Sequence, residues 1–212
     1  SFGSALKMEG IEELLFALSE YTKMPEYQEK FGATVFKITR DAQGSRLTHL
    51  KVTGGVLKAR NLLSGHKQNK AEDIWEEKIN QIRIYSGEKY ETKDEVEAGT
   101  ICAVTGLSYT YPGEGLGSQE ESELPILEPV LTYELILPDG VQPQAMMPKL
   151  AMLEEEEPEL HIVWNEELQE IKIQIMGEVQ IEILKALISD RFGAEVEFGT
   201  GKILYRETIA ED

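Results

Sequence analysis

The stretch Ile171-Lys172-Ile173-Gln174-Ile175 alternates apolar and polar residues, and an apolar-rich segment from Glu178 to Asp190 follows it. Alternation with a period of two is typical of a strand that buries one face. In the second segment an apolar face recurs at helical spacing, formed by Val179, Ile183, Leu187 and Ile188. Gly193 stands just beyond it as a stop signal. These residues predict a strand followed by a helix.

The segments on both sides of this unit extend it into a longer order of elements. Upstream, the pattern predicts a strand at 131–137, a helix at 144–156 and a strand at 161–164; downstream, it predicts a strand at 194–198. The resulting order β-α-β-β-α-β is that of a ferredoxin-like split βαβ fold. We therefore predict a domain of this fold over residues 130–209.

The preceding part of the chain has a different pattern, in which short β-rich runs are separated by glycines that suit turns. The predicted strands are 34–39, 47–52, 56–62, 81–85 and 99–107. A small antiparallel β-barrel over residues 30–117 fits them best. Residues 118–129 are acidic and interrupted by proline, which is typical of a linker. The fold class is thus mixed β and α+β.

An amphipathic helix is predicted near the N-terminus. Ile11, Leu14, Leu15 and Leu18 fall at helical spacing, although only residues 1–6 precede that helix. Such an apolar face must pack on something. We interpret residues 1–25 as the last loop and helix of a domain whose remainder lies outside this chain.

Charge is distributed unevenly along the sequence. The net charge is −18, but residues 37–70 contain eight basic residues against the single acid Asp41, so this window carries +7. A segment of this kind can meet RNA phosphates while the rest of the surface repels them. A solvated face with scattered lysines remains the alternative, since positive charge alone is weak evidence.

Residues that would support catalysis are scarce. The phosphate-binding pattern G-x-x-x-x-G-K-[ST] is absent, and the glycines of residues 113–117 are interpreted as a turn. Cys102 is the only cysteine and lies in an apolar run, which favours a buried thiol and excludes an internal disulfide. With three histidines beside it, a metal site is not expected. No catalytic residues are predicted, and no apolar run is long enough to span a membrane, so we expect a cytoplasmic protein.

Several stretches resemble the translational GTPases of the elongation factor G class, a group that includes the tetracycline-resistance ribosomal protection proteins. They include Phe2-Gly3-Ser4-Ala5-Leu6-Lys7, Lys51-Val52-Thr53-Gly54-Gly55-Val56-Leu57-Lys58, Met176-Gly177-Glu178-Val179-Gln180-Ile181-Glu182-Ile183 and Tyr205-Arg206-Glu207-Thr208. The resemblance extends over essentially the whole chain.

This resemblance implies a set of roles. Ser4, Ala5 and Leu6 would be the guanine loop of the parent protein, which would use GTP and Mg²⁺, with no cofactor held by this chain alone. The barrel would be domain II, docking on small-subunit ribosomal RNA, with phosphate contacts from Arg40, Arg46, Lys51, Lys58 and Arg60. The ferredoxin-like domain would be domain III, relaying between the GTPase domain and C-terminal domains through Gly177, Glu178, Gln180 and Arg206.

Several functions stay open on the sequence. Gln180 matches the glutamine of the ribosomal protection proteins, whereas elongation factor G usually carries histidine at this position. Tyr205-Arg206-Glu207-Thr208 is closer to elongation factor G. Ribosomal protection is the preferred interpretation and translocation the alternative. A protein-interaction module without RNA binding, or GTP turnover within this chain, are rivals of other classes.

Overall fold

A computed structural model of the protein describes residues 2–23, 25–67, 70–122, 129, 131–166 and 168–203. Its buried apolar residues form two separate clusters. One is drawn from residues 33–116 and the other from residues 135–196. Each cluster lies within a different set of strands, so the described chain has two cores.

The N-terminal segment has little packing of its own. A short 3₁₀ turn spans Ala5–Lys7 and helix α1 spans Ile11–Tyr21. No residue of α1 is buried, and Leu14 and Leu18 are 45% and 50% exposed. The helix was predicted correctly, but its apolar face does not reach either core.

The first core is enclosed by ten antiparallel strands. They are β1 Gly32–Arg40, β2 Arg46–Gly54, β3 Val56–Lys58, β4 Leu62–Lys67, β5 Lys70–Lys78, β6 Gln81–Ser86, β7 Lys89–Lys93, β8 Glu95–Glu97, β9 Ile101–Thr105 and β10 Gly115–Gly117. Six of them form one sheet in the order β10-β1-β2-β9-β6-β7, while β3 pairs with β8 and β4 pairs with β5. Alternate residues such as Val35, Leu50 and Val104 point into the core because strand side chains alternate between faces.

Two interpretations of this region were wrong. The run 56–62 is not one strand: β3 ends at Lys58 and a new hairpin begins at Leu62. The glycines of residues 113–117 are not only a turn, because β10 pairs with Gly32, Ala33 and Thr34 of β1. Glycine is needed in β10 for close approach, since a Cβ on Gly115 would collide with the backbone of Gln119 and Glu120.

The second core lies under an antiparallel sheet with two helices. Its elements are β11 Leu131–Ile136, α2 Pro143–Glu156, a 3₁₀ turn Pro158–Leu160, β12 Val163–Asn165, β13 Glu170–Ile175, α3 Glu178–Phe192, β14 Glu197–Phe198 and β15 Lys202–Ile203. The strand order is β12-β13-β11-β14, with β15 also on β11. This arrangement confirms the predicted split βαβ fold.

Helix α3 meets the core with only part of the face that was predicted, namely Leu187 and Ile188. Leu184 and Ile188 are buried, whereas Val179 is 75% and Ile183 is 59% exposed. The helix carries two overlapping apolar stripes, and periodicity alone cannot say which of them meets β13. Leu184 and Ile188 pack in the core with Leu187 partly buried beside them, whereas Val179 and Ile183 face outward.

Candidate functional site

Two of the predicted cationic residues meet at the junction between the two domains. Arg40 ends β1 and Arg46 begins β2, and the two are paired across the sheet. Both contact Glu155 near the end of α2: Arg40 Nη2 lies 2.8 Å and Arg46 Nε 3.2 Å from Glu155 Oε2. Arg40 and Arg46 therefore join the barrel to the second domain, a use that their predicted role as phosphate contacts did not include.

Arg46 is held by a network of its own domain as well. Its Nη1 donates to Thr48 Oγ1 at 3.2 Å, to the Leu107 carbonyl at 2.9 Å and to Thr110 Oγ1 at 2.8 Å. Thr48 and Thr110 are themselves buried, and their Oγ1 atoms are hydrogen-bonded at 2.7 Å. Burial lowers the pKa of Arg46, and the carboxylate of Glu155 acts in the opposite direction. The guanidinium is thus fixed by hydrogen bonds on one side and a charge on the other.

The chain of ion pairs continues through α2 into α3. Glu156, next to Glu155, accepts from Arg191 of α3 at 2.7 Å and lies 3.9 Å from Arg40 Nε. The helix end Glu154-Glu155-Glu156-Glu157 is therefore more than a solvated acidic run, because its middle two carboxylates face cations of both domains. We call Arg40, Arg46, Glu155, Glu156 and Arg191 the junction cluster.

The remaining predicted cations are on the barrel surface. Lys51 of β2 and Arg60 are exposed. Lys58 is exposed too and pairs with Glu95 at 3.1 Å, a contact that solvent screens because both side chains are about three-fifths exposed. These three side chains can reach a ligand in solution, in contrast to Arg46.

A row of aromatic rings crosses the outer face of the six-stranded sheet, and sequence reasoning missed it. The rings are Phe36 on β1, His49 on β2, Tyr85 on β6 and Tyr90 on β7, with centroid separations of 6.1, 6.2 and 5.3 Å along the row. Only the strand register brings them together, because β2 and β6 are joined through β9 in the sheet. We call these four residues the aromatic row.

Polar contacts orient the row. His49 Nε2 lies 2.7 Å from Thr39 Oγ1, and burial together with the Lys37 charge lowers the pKa of His49, so the imidazole is neutral at pH 7. At the other end, the Arg83 guanidinium lies 4.4 Å from the Tyr90 ring centroid and forms a 3.0 Å ion pair with Asp41. Arg83 thereby positions the tyrosine end of the row.

The predicted guanine loop is a small exposed turn. Ser4 N donates to the Glu9 carbonyl at 3.0 Å, and Lys7 N donates to the Ser4 carbonyl at 3.1 Å. The first amides of such a turn have no partner within it, so those of Ala5 and Leu6 are the ones suited to donate to a base oxygen. Whether Ser4, Ala5 and Leu6 contact a guanine base stays a prediction.

The predicted interdomain residues of the second domain lie at the start of α3. Met176 N donates to Gln180 Oε1 at 3.0 Å, and Gln180 Nε2 lies 3.5 Å from Glu157 Oε2. Gly177 caps the helix, Glu178 is its first residue, and the exposed side chain of Val179 is adjacent. Arg206 lies outside the described residues.

The described residues contain neither a metal site nor a reactive thiol. In the described ranges, no three His, Cys, Asp or Glu side chains are grouped to hold a metal ion. Cys102 is buried, and burial raises its pKa to about 12, as suits a structural thiol. No helix of the described segments is long and apolar enough to cross a membrane.

Comparison with known proteins finds similarity to elongation factor G and to a tetracycline resistance protein. Residues 126–200 match the family model described as Elongation Factor G, domain III. The tetracycline resistance protein TetP of Clostridium perfringens is 29% identical over 203 residues, covering 94% of this chain and 30% of that protein. Elongation factor G of Amoebophilus asiaticus is 27% identical over 234 residues, covering 98% of this chain and 32% of that protein.

A solved structure agrees on the fold. A crystal structure of a Thermus thermophilus protein superposes with a TM-score of 0.70 at 24% identity, covering 90% of this chain and 29% of that one. Residues 126–200 are thus similar to domain III of elongation factor G, and the chain as a whole is similar to elongation factor G and to TetP. It spans about a third of the length of the curated relatives it matches, and TetP and elongation factor G are similar to it to the same degree.

Proposed function

We propose that this chain is the ribosome-docking part of an elongation factor G-like GTPase, in which the barrel contacts small-subunit ribosomal RNA. The observation that carries the proposal is the exposed set Lys51, Lys58 and Arg60 on a barrel of a chain whose net charge is −18. Such side chains bind phosphates and position a protein on RNA without reading its sequence.

The second domain would connect the barrel to the rest of the parent protein. Its Glu155 and Glu156 face the barrel, while the exposed side chain of Val179 at the start of α3, beside the hydrogen-bonded Gln180, would face another domain. We place the GTPase and C-terminal domains of the parent there, together with GTP and Mg²⁺ in the GTPase domain. The Ser4 loop would contribute amides to the base, and the protein would act in the cytoplasm.

Ribosomal protection against tetracycline is our preferred role for the parent protein, and translocation is the second candidate. Gln180 favours the first role by the resemblance given above, and Tyr205-Arg206-Glu207-Thr208 favours the second. Expression of the full open reading frame separates them. Growth on tetracycline supports protection, whereas restored growth of cells depleted of elongation factor G supports translocation.

Ribosome docking is tested by co-sedimentation of the purified chain with ribosomes over a range of salt. With three phosphate contacts, affinity should fall roughly 20- to 40-fold between about 50 and 200 mM salt. Lys51→Gln, Lys58→Gln and Arg60→Gln together should weaken binding and flatten this dependence. A matched control changes Lys7, Lys23 and Lys149 to glutamine, with the same change of charge elsewhere.

Two results would reject docking by the barrel: no co-sedimentation at low salt, or equal binding by the triple variant and the control. Capture of a protein partner from ribosome-free extract would favour the interaction-module alternative. GTP turnover by the purified chain would favour the alternative of an active GTPase.

A further inference from the structure

The aromatic row is unusual because it lies on the outer face of its sheet and is partly open to solvent. Phe36 and Tyr90, at its two ends, are each 49% exposed, while His49 and Tyr85 between them are half-buried. The barrel core lies on the opposite face, so these rings are not needed to fill it. Cross-strand aromatic pairs do stabilise sheets, but that role does not require exposed ring faces.

Cations border the row. Lys37 faces His49 across β1 and β2, and Lys51 stands two residues from His49 on the same face of β2. Both are exposed. Asp41 also contacts this face, where it forms an ion pair with Arg83.

We infer that this face of the barrel binds an unpaired RNA segment, with bases stacked on Phe36 and Tyr90 and the adjoining phosphates on Lys37 and Lys51. Rings bordered by cations suit single-stranded nucleic acid, because every base has a stacking face and every linkage a charge. The inference rests on the proposed ribosome docking and deepens it. The site takes looped-out or single-stranded nucleotides rather than duplex backbone.

Charge complementarity favours RNA over a protein partner. The chain as a whole is strongly acidic, yet this face carries Lys37, Lys51 and the paired Arg83. His49 adds a neutral ring to the row, so stacking there does not depend on protonation near pH 7. An aromatic face with a basic border matches a base and its phosphate.

The test measures binding of a fluorescent eight-nucleotide oligoadenylate to the whole chain by anisotropy, beside a duplex RNA of the same length. We expect the single strand to bind more tightly. Phe36→Ala or Tyr90→Ala should weaken single-strand binding about 5- to 100-fold, as loss of one stacking platform does. Phe36→Tyr keeps an aromatic ring and should bind the single strand as the unaltered chain does. Tyr109→Ala is the control, since Tyr109 is equally exposed but lies outside the row.

The outcomes separate this inference from ribosome docking. Equal affinity for duplex, or row variants that bind the single strand normally while remaining folded by circular dichroism, would overturn the inference. Ribosome binding that needs Lys51, Lys58 and Arg60 but not Phe36 or Tyr90 would overturn it and leave docking intact. Row variants that lose ribosomes but keep oligoadenylate would assign the face to a protein. Failure of the unaltered chain to bind ribosomes would reject the proposed docking itself.

Discussion

Glu114 is a buried carboxyl group in the first core, only 3% exposed. Its Oε1 accepts from Trp75 Nε1 at 3.1 Å, and its Oε2 lies 3.4 Å from Tyr111 N. Burial raises the pKa of Glu114 to about 7, and the nearby Glu121 acts in the same direction while Arg46 opposes it. The indole and the Tyr111 amide do not compensate for the loss of water. The side chain thus changes charge close to neutral pH.

We predict that the barrel is less stable at pH 7.5 than at pH 5. The pKa of Glu114 is above its ordinary value of 4.5 in the folded state, so the folded protein holds this proton more tightly than the unfolded chain. That stabilisation is complete below pH 4.5 and is lost as pH rises through about 7. The expected loss is on the order of 1 to 3 kcal/mol. Urea unfolding followed by Trp75 fluorescence, in a Trp164→Phe background, measures it.

Glu114→Gln is the control for this prediction, because the amide keeps the shape of the protonated acid and does not titrate. The difference in unfolding free energy between the unaltered chain and this variant should change from pH 5 to 7.5, as only the unaltered chain loses stability through this group. A constant difference would contradict the prediction.

The sequence did not reveal this residue or its neighbours. Glu114 was interpreted within a glycine-rich turn, yet it points into the core beside Trp75. Gly65 completes the site, since it lies opposite Trp75 in the β4–β5 pair and a Cβ there would collide with the indole. Burial of a lone acid depends on contacts between distant strands, which local pattern does not report.

At the scale of elements, adjacent residues of α3 should differ sharply. Ile183 is 59% exposed and Leu184 is 1% exposed. Leu184→Ala should cost about 2 to 5 kcal/mol through the cavity it leaves. Ile183→Ala should lie within about 0.5 kcal/mol of the unaltered chain. Chemical denaturation compares them, and similar losses would refute the orientation of α3 described above.

Some elements were predictable from the sequence and others were not. The strand at 171–175 alternates strictly, the helices at 144–156 and 178–190 are long, and each appears within a few residues of the expected bounds. Strands β7 and β8 were missed because their residues are mostly polar and exposed. Edge and outer strands of this kind are held by backbone pairing, which leaves little trace in hydropathy.

At the scale of the molecule, the junction cluster should restrict how the two domains move. Glu155 accepts from both Arg40 and Arg46, so Glu155→Ala removes the shared partner and leaves two cations facing each other. We predict a broader distribution of interdomain distances. Spin labels at Ser86→Cys and Asp190→Cys would measure it by pulsed electron resonance.

The sole native thiol does not interfere with this labelling, because Cys102 is buried and its pKa is about 12. Glu166→Ala is a matched control, since it removes an exposed carboxylate outside the junction cluster. If Glu155→Ala and the control give the same narrow distribution as the unaltered chain, the cluster does not hold the domains.

For the candidate site, the sequence indicated the charge of the surface but not the contacts of each side chain. The basic window of residues 37–70 indicated a cationic surface, but could not tell Arg46, which is bound by its own barrel, from the exposed Lys51. Whether Arg40, Arg46, Lys51, Lys58 and Arg60 contact RNA stays a prediction. The aromatic row could not be predicted, since its members are far apart in sequence and become neighbours only through the sheet register.

The pairing of strand β10 also affects how the barrel folds during synthesis. Gly115–Gly117 pairs with Gly32–Thr34, so the first and last strands of the barrel are neighbours although nearly the whole barrel sequence separates them. Contacts of such long separation form slowly, because the intervening loop must lose its freedom first. During synthesis, the nascent barrel stays open along β1 until β10 has left the exit tunnel. A chain stalled before that point would present the edge of β1 to chaperones, or to another nascent copy of itself.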